Sequence, residues 1–442
     1  MRELLANLGF LLQLSGFFIF IVAIISIYLN EIREAISFFL TASLFFILGF
    51  PLNALSERKE IKFRESLILF FLTFLFLGII GSIPYIYLDL FEKEDLISKI
   101  INSIFESVSG FTTTGISFLN SSDLSTSMKI YRAFTQFIGG IGIVYLLLTF
   151  LYSSNYKISR VFNKLLGFDI KSEIKKNVLE ILVTFCLITI FLSFLMYYFN
   201  KDIIKSFCLV MSGISTGGFS HYDLKSLIIE EKIIIIVSMV FGSISLFILS
   251  KFKKEIIPYI IFILILFLIL SLNNINAIDS LFHSVSLIST TGYSYIDYNI
   301  LSPTILFIFS ILMLIGGMAI STSGGIKIIR IINSIKYIAK FIKSFIKEEK
   351  IEVKDEEVIS LSYLFCYFFI WIIVSIIFSF YTNSLEKSLF DIASILSTSG
   401  FSSGLINLSL PLELKILMIF LMILGRIEII PIFAIFIFSK NK

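Results

Sequence analysis

Four short segments of this 442-residue chain carry the residue types that could strip a cation of its water. They read Ser109-Gly110-Phe111-Thr112-Thr113-Thr114-Gly115-Ile116, Ser212-Gly213-Ile214-Ser215-Thr216-Gly217-Gly218-Phe219, Ser286-Leu287-Ile288-Ser289-Thr290-Thr291-Gly292-Tyr293 and Ser394-Ile395-Leu396-Ser397-Thr398-Ser399-Gly400-Phe401. One gapless pattern covers them: Ser-x-x-[Ser/Thr]-Thr-x-Gly followed by a hydrophobic residue. A cation losing its hydration shell needs replacement oxygens, and an extended Ser/Thr/Gly loop can turn successive backbone carbonyls toward an axis. Glycine admits backbone angles that a Cβ would penalise, so one per loop keeps the carbonyls facing inward. The candidate ligating residues are Thr112, Thr113, Thr114 and Gly115, then Ser215, Thr216, Gly217 and Gly218, then Ser289, Thr290, Thr291 and Gly292, and last Ser397, Thr398, Ser399 and Gly400. Small residues also let transmembrane helices pack closely. Close packing alone gives no reason for four aligned copies.

Two further features stand inside apolar runs. Gly316, Gly317, Ser321, Thr322, Ser323, Gly324 and Gly325 interrupt one run and make a poor helix, since each glycine costs about 1 kcal/mol relative to alanine. The alternatives are a small-residue packing face and a loop that opens and closes a pore. Lys327 and Arg330 follow, as anchors, as contacts to a regulatory partner or as snorkelling cations. Arg426 sits in the middle of the last run, where an arginine costs about 2.5–3.5 kcal/mol on insertion scales. It either pairs with an acid such as Glu428 or acts as an electrostatic barrier below the four loops. Two positive charges about 8 Å apart at an effective dielectric of about 20 repel by about 2 kcal/mol.

The elements that must position these residues follow from composition. Hydrophobic residues make up 57% of the chain and charged residues 15%, against about 25% charged in soluble domains. A chain this apolar is a polytopic membrane protein, which excludes a soluble enzyme and a disordered chain. Runs of about 20 apolar residues, enough to cross a bilayer core of about 30 Å, fall at 4–29, 32–50, 66–88, 130–151, 178–199, 231–250, 256–272, 302–320, 358–380 and 412–438. Four stretches, 96–109, 203–214, 277–289 and 385–397, are too short to cross and each ends in one of the aligned clusters. The unit is therefore helix, short pore helix, loop, helix.

The fold expected is all-α: two N-terminal transmembrane helices plus four such repeats around a central pore. The chain divides at 1–55, 56–160, 161–252, 253–350 and 351–442. Basic residues concentrate in the loops 51–65, 152–177, 251–254 and 327–354 and at both ends, while Asp89, Glu92, Glu94, Asp95, Asp223, Glu230 and Glu231 mark the opposite loops. This bias predicts both termini in the cytoplasm, with the short segments entering from outside.

Catalytic chemistry finds no support. His221 and His283 are isolated, Cys186, Cys208 and Cys366 have no metal-ligand spacing, and no nucleotide-binding glycine motif occurs. No catalytic residue, cofactor site, nucleotide site or nucleic-acid partner is expected in this chain.

On these residues the chain resembles the Trk/Ktr/HKT superfamily of potassium transporters, and its two extra N-terminal helices are most similar to TrkH-type membrane subunits. Three other stretches carry the likeness. Arg132 to Val144, with Gln136, Gly139, Gly140 and Gly142, resembles the second helix of the family's first repeat. Gly316 to Lys327 resembles the broken second helix of the third, and Leu424-Gly425-Arg426-Ile427-Glu428 the arginine segment of the fourth.

The resemblance implies K⁺ as the transported ion, uptake across the cytoplasmic membrane, and a homodimer with one pore per protomer. It also implies a cytosolic TrkA-like nucleotide-binding regulatory subunit. Its docking surfaces would be the basic loops 327–354 and 152–177, with lipid head groups as the alternative. Relatives that prefer Na⁺ often carry serine at the first filter glycine. Gly115 here favours K⁺, with a Na⁺ or weakly selective transporter on the same scaffold as the alternative.

Overall fold

The computed structural model describes residues 2–56, 63–151, 174–244, 253–298, 301–319, 321–347 and 354–427. Most of the basic loop 152–177, together with Lys251, Ile320, Glu428, Lys440 and Lys442, lies outside them. Every described regular element is helical.

Two long helices, α1 (Arg2–Tyr28) and α2 (Ile32–Ala54), form an antiparallel hairpin. Glycines set their spacing. A Cβ on Gly9 would lie under 3.0 Å from the Asn53 nitrogen and the Gly49 oxygen, so the two backbones touch. Gln13 and Asn53 close the same contact with an amide–amide hydrogen bond of 3.1 Å. The hairpin turn also reaches the next unit: the Glu31 carboxylate accepts the Thr126 and Ser127 amides at 3.1 and 2.7 Å. That carboxylate satisfies otherwise orphaned N–H groups at the start of α6 (Thr126–Leu151).

The rest of the chain runs as α3 (Phe63–Ile80), α4 (Ile83–Tyr87), α5 (Leu96–Phe111) and α6, then α7 (Ile174–Asn200), α8 (Ile203–Ile214) and α9 (Ile229–Ser243). It continues with α10 (Lys253–Leu272), α11 (Ala277–Ile288), α12 (Pro303–Ile315) and α13 (Ile328–Lys347), and ends with α14 (Asp355–Thr382), α15 (Leu385–Leu396) and α16 (Leu412–Arg426). Two of the short helices start at side-chain caps. Asp95 accepts the Ile97 and Ser98 amides and Asp202 accepts the Lys205 amide. Hydrogen bonds from Ser98, its hydroxyl foremost, hold the exposed Asp95 carboxyl below the usual carboxylate range.

Each short helix packs against the helix after it or before it in its own unit and also against a helix of another unit. These outside neighbours are α16 for α5, α6 for α8, α9 for α11 and α12 for α15. Contacts running from each unit to the next, and from the last back to the first, close the bundle into a ring.

Six described helical segments are long and apolar enough to cross a membrane: Arg2–Tyr28, Ile32–Ala54, Glu65–Tyr87, Leu182–Asn200, Glu255–Leu272 and Asp355–Thr382. Ten spans are expected from the sequence, and the described residues cover the other four to different extents. Helix α6, 26 residues long, runs the whole length of the expected span 130–151. The expected span 302–320 stops at Ile315, because Gly316 takes φ +72° and turns the chain out of the helix. Described helix covers only part of the runs 231–250 and 412–438.

Replacing Gly9 with valine should force α1 from α2, since overpacking costs roughly 1–3 kcal/mol. A thermal melt of purified protein in detergent should fall by several degrees. An unchanged midpoint would show that the hairpin spacing is soft.

Candidate ion pathway

The four Ser/Thr/Gly clusters follow directly on the C-termini of α5, α8, α11 and α15, and they take positive φ at the same two positions. Thr113, Thr216, Thr290 and Thr398 all adopt left-handed φ, between 50° and 55°. A β-branched residue there is an outlier, costing roughly 1–2 kcal/mol. The hydrogen bonds that hold it recur in every loop. The amides of those four threonines donate to Gly110, Gly213, Leu287 and Ile395, and the next amides donate to Ser109, Ser212, Ser286 and Ser394, all at 2.8–3.2 Å. This is the Schellman closure of a helix, normally built on glycine. It turns the chain abruptly at the helix end, and the helix C-terminus carries partial negative charge.

Two residues on stand Gly115, Gly218, Gly292 and Gly400, with φ between 71° and 87°. A Cβ on Gly115 would lie under 3.0 Å from the Gly217 carbonyl oxygen. One on Gly218 would meet the Thr291 oxygen, one on Gly292 the Ser399 oxygen and one on Gly400 the Thr114 oxygen. The four loops therefore touch in cyclic order, each glycine against the carbonyl just before the next glycine. Behind three loops a hydroxyl pair braces the turn: Thr112 with Thr114 at 2.8 Å, Ser289 with Thr291 at 2.6 Å and Ser397 with Ser399 at 2.7 Å.

A second set of glycines presses the following helices against the short ones. A Cβ on Gly139, Gly242 or Gly425 would strike the last carbonyl of α5, α8 or α15, at Phe111, Ile214 and Leu396. In the remaining unit the chain between α12 and α13 is not regular helix. The segment 316–327 reaches the second, third and fourth units on the side of the short helices' C-termini. Thr322 Oγ1 donates to the Ile214 and Gly242 oxygens at 3.1 and 2.8 Å and lies 3.4 Å from Thr216 Oγ1. The Gly324 amide donates to Thr290 Oγ1 at 2.8 Å, and a Cβ there would overlap the Ser397 carbonyl oxygen.

Met318 and Ala319 amides bind the Ser243 oxygen and the Glu255 carboxylate, each at 3.0 Å. Gly317 receives Ser323 Oγ on its amide, Ser321 and Ser323 hydroxyls pair at 2.7 Å, and Gly316 and Gly325 are both left-handed and in contact. Arg426 completes the set. Its Nη1 donates to the Thr322 oxygen at 2.6 Å and its Nη2 to the Gly139 oxygen at 3.1 Å. Glu428 lies outside the described residues, and the arginine's charge is met here by backbone carbonyls.

The placement of Lys327 and Arg330 argues against the alternative of snorkelling cations. Both are buried. The Lys327 ammonium turns back onto Ser321 and Ser323, while Arg330 donates to the Ile326 oxygen at 2.9 Å and lies over the Tyr363 ring.

Residues 247–441 match the TrkH family of cation transport proteins. Over 97% of its length the chain is 31% identical to an uncharacterized cation transporter of Methanocaldococcus jannaschii, covering 94% of that protein. The chain belongs to the TrkH family. This TrkH-family chain is also 23% identical to the Trk system potassium uptake protein TrkG of Escherichia coli, over 97% of its own length and 96% of that protein. The crystal structure of the potassium transporter TrkH from Vibrio parahaemolyticus has the same fold, with a TM-score of 0.82, 20% identity and 98% coverage of both chains. A multi-pass membrane cation transporter is what fold and family establish.

Sequence reasoning passed over several buried polar residues of this site. Glu106 accepts the Phe118 amide at 2.6 Å and the Ser117 hydroxyl at 3.0 Å, and pairs with Arg132 at 3.5 Å. Arg132 in turn lies 3.9 Å over the Phe219 ring of the second loop. Asp391 accepts the Ser403 amide at 2.6 Å in the same way. The signal was present in the sequence: both acids stand three residues before the pattern serine, one helical turn back and facing the returning strand of the loop. Removing one partner of a buried ion pair costs roughly 3–5 kcal/mol. Glu106→Ala should therefore lower thermal stability strongly in a detergent melt, and an unperturbed midpoint would show that Arg132 finds other compensation.

Proposed function

We propose that this protein takes up K⁺ across the cytoplasmic membrane through the ring formed by Thr112–Gly115, Ser215–Gly218, Ser289–Gly292 and Ser397–Gly400, and that the segment 316–325 with Arg426 is the gate. The observation that carries the reading is the cyclic contact of four glycines with four carbonyls. It gathers backbone oxygens from four loops around one locus at the C-termini of four helices, the chemistry a dehydrated monovalent cation needs. The names of the potassium-uptake relatives support K⁺ as the ion.

The gate assignment rests on where the irregular segment binds. It takes the Thr290 hydroxyl and lies against that of Thr216, groups that an ion leaving the ring would meet. Arg426 holds the segment to Gly139 and adds a positive charge below the ring, so it acts as both staple and barrier. Both termini face the cytoplasm in this reading, and the units divide at 1–55, 56–160, 161–252, 253–350 and 351–442. The assembly is a homodimer with a cytosolic TrkA-like regulatory subunit and lipid head groups at the basic surfaces. Helix α13 supports a cytoplasmic contact: it pairs basic residues such as Lys336 and Lys343 with exposed Phe341, Phe345 and Ile346.

Flux measurements on protein in liposomes test both parts. Gly115→Ser adds a Cβ against the Gly217 oxygen at φ +81° and should lower the K⁺/Na⁺ permeability ratio roughly tenfold, about 1.4 kcal/mol of discrimination. An unchanged ratio would overturn the filter assignment. Arg426→Ala should raise basal flux toward the roughly thirtyfold that about 2 kcal/mol of repulsion corresponds to. A folded variant with unaltered flux would remove Arg426 from the gate.

A further inference from the structure

One of the four loops lacks the brace that the other three share. The residue before the pattern glycine is Thr114, Thr291 or Ser399 in three loops, each pairing its hydroxyl with the Ser or Thr two residues earlier. In the second loop that residue is Gly217, which has no side chain to pair with Ser215. Its carbonyl is nevertheless one of the four that face a neighbouring glycine.

The missing volume is filled from another unit. A Cβ on Gly217 would fall against Gln136, within 2.6 Å of Oε1 and 2.8 Å of its Cβ. Gln136 comes from α6 and is fully buried. Its Nε2 donates to the Gly217 oxygen at 2.5 Å. Its Oε1 accepts the Ser212 hydroxyl at 2.6 Å and the Phe219 amide at 3.3 Å, so one amide grips the loop on both sides of Gly218. The Ser212 hydroxyl has one proton, and giving it to Gln136 leaves an acceptor for the His221 ring at 3.0 Å. His221 stands on a cavity of about 490 Å³ lined also by Asn120, Lys129, Tyr222 and Tyr295. The amide, the hydroxyl and the imidazole thus form one buried chain running from that cavity to a ring carbonyl.

We propose that Gln136 is a specificity-determining positioning residue. In this role it replaces in trans the side chain that Gly217 lacks and holds the Gly217 carbonyl in register with those of Thr114, Thr291 and Ser399. The inference rests on the filter reading above. Its particular content is that one ring oxygen is set by a side chain of a different unit. A buried amide with both ends engaged is rigid, because losing either bond strands a polar group at roughly 1–3 kcal/mol. Gln136 therefore works on ion discrimination through geometry and makes no contact with the ion itself.

The test is the K⁺/Na⁺ permeability ratio of full-length protein in liposomes, a quantity independent of how much protein folds. Gln136→Ala should lower the ratio by roughly five- to tenfold, the effect of about 1 kcal/mol or more on one carbonyl's position. Gln136→Glu keeps the volume and the Ser212 acceptor but removes the donor to Gly217, and should lower the ratio to a similar degree. Gly217→Ser alone collides with Gln136 and should also lose discrimination. The double variant Gln136→Ala with Gly217→Ser rebuilds the brace found in the other loops, and should return the ratio to within about twofold of the wild type. If Gly115→Ser shifts the ratio while both Gln136 variants leave it unchanged, the positioning role is overturned and the filter stands. A double variant no better than Gln136→Ala would overturn the replacement in trans. If neither Gly115→Ser nor the Gln136 variants move the ratio, the filter reading falls and takes this role with it.

Discussion

The contact on which the rest of the structure depends is between a glycine that has no Cβ and the carbonyl oxygen of the next loop. At Gly115, Gly218, Gly292 and Gly400 the neighbouring oxygen occupies the volume that any other residue would need. Left-handed φ at each of these positions closes the same option a second time. The four loops can approach only if all four positions are glycine, and the helices around them must then be held at matching distances. That is why a second tier of glycines, Gly139, Gly242 and Gly425, lets the following helices press onto the ends of α5, α8 and α15. One close approach dictates the other.

Irregular backbone inside a bilayer must find its hydrogen bonds within the protein. The four turns do so locally, with amides folded back onto the last turn of each short helix and a threonine placed where glycine is usual. The segment 316–327 does so only in part, with the Ile326 and Lys327 amides bonded to the Leu314 and Ile315 oxygens at the end of α12. Its other polar groups are met by Ser243, Gly242, Ile214, Glu255 and Thr290 from four other elements, and Arg426 bonds its Thr322 oxygen. Two glutamates, two arginines and a lysine, Glu106, Glu255, Arg330, Arg426 and Lys327, are buried in this framework. Each is tied to backbone groups, which matters where the surroundings are apolar and an unpaired group is expensive.

Most of the architecture was legible from hydropathy alone. The short helices occupy Leu96–Phe111, Ile203–Ile214, Ala277–Ile288 and Leu385–Leu396, against expected segments at 96–109, 203–214, 277–289 and 385–397. Length separates a crossing from a half-crossing, and length is written in the sequence. The break at Gly316 was legible for the same kind of reason, since glycine density is a local property. The roles of Gln136, Glu106 and Asp391 were not, although two of them share a place relative to the pattern serine. A glutamine in an apolar run has many possible partners, and the one it takes depends on which unit stands next to it.

The sequence by itself determined what each segment can do. Four Ser/Thr/Gly clusters can expose carbonyls, one glycine-rich run can leave a helix, and an arginine amid apolar residues must be met by something polar. All of these are consequences of local composition. Only the tertiary structure decided which groups meet. The Gly217 carbonyl is set by a glutamine 81 residues earlier, and Arg426 is joined to Gly139 across 287 residues. Closing a ring brings the first and last units together, and no local pattern encodes the distance between side chains that only ring closure makes neighbours.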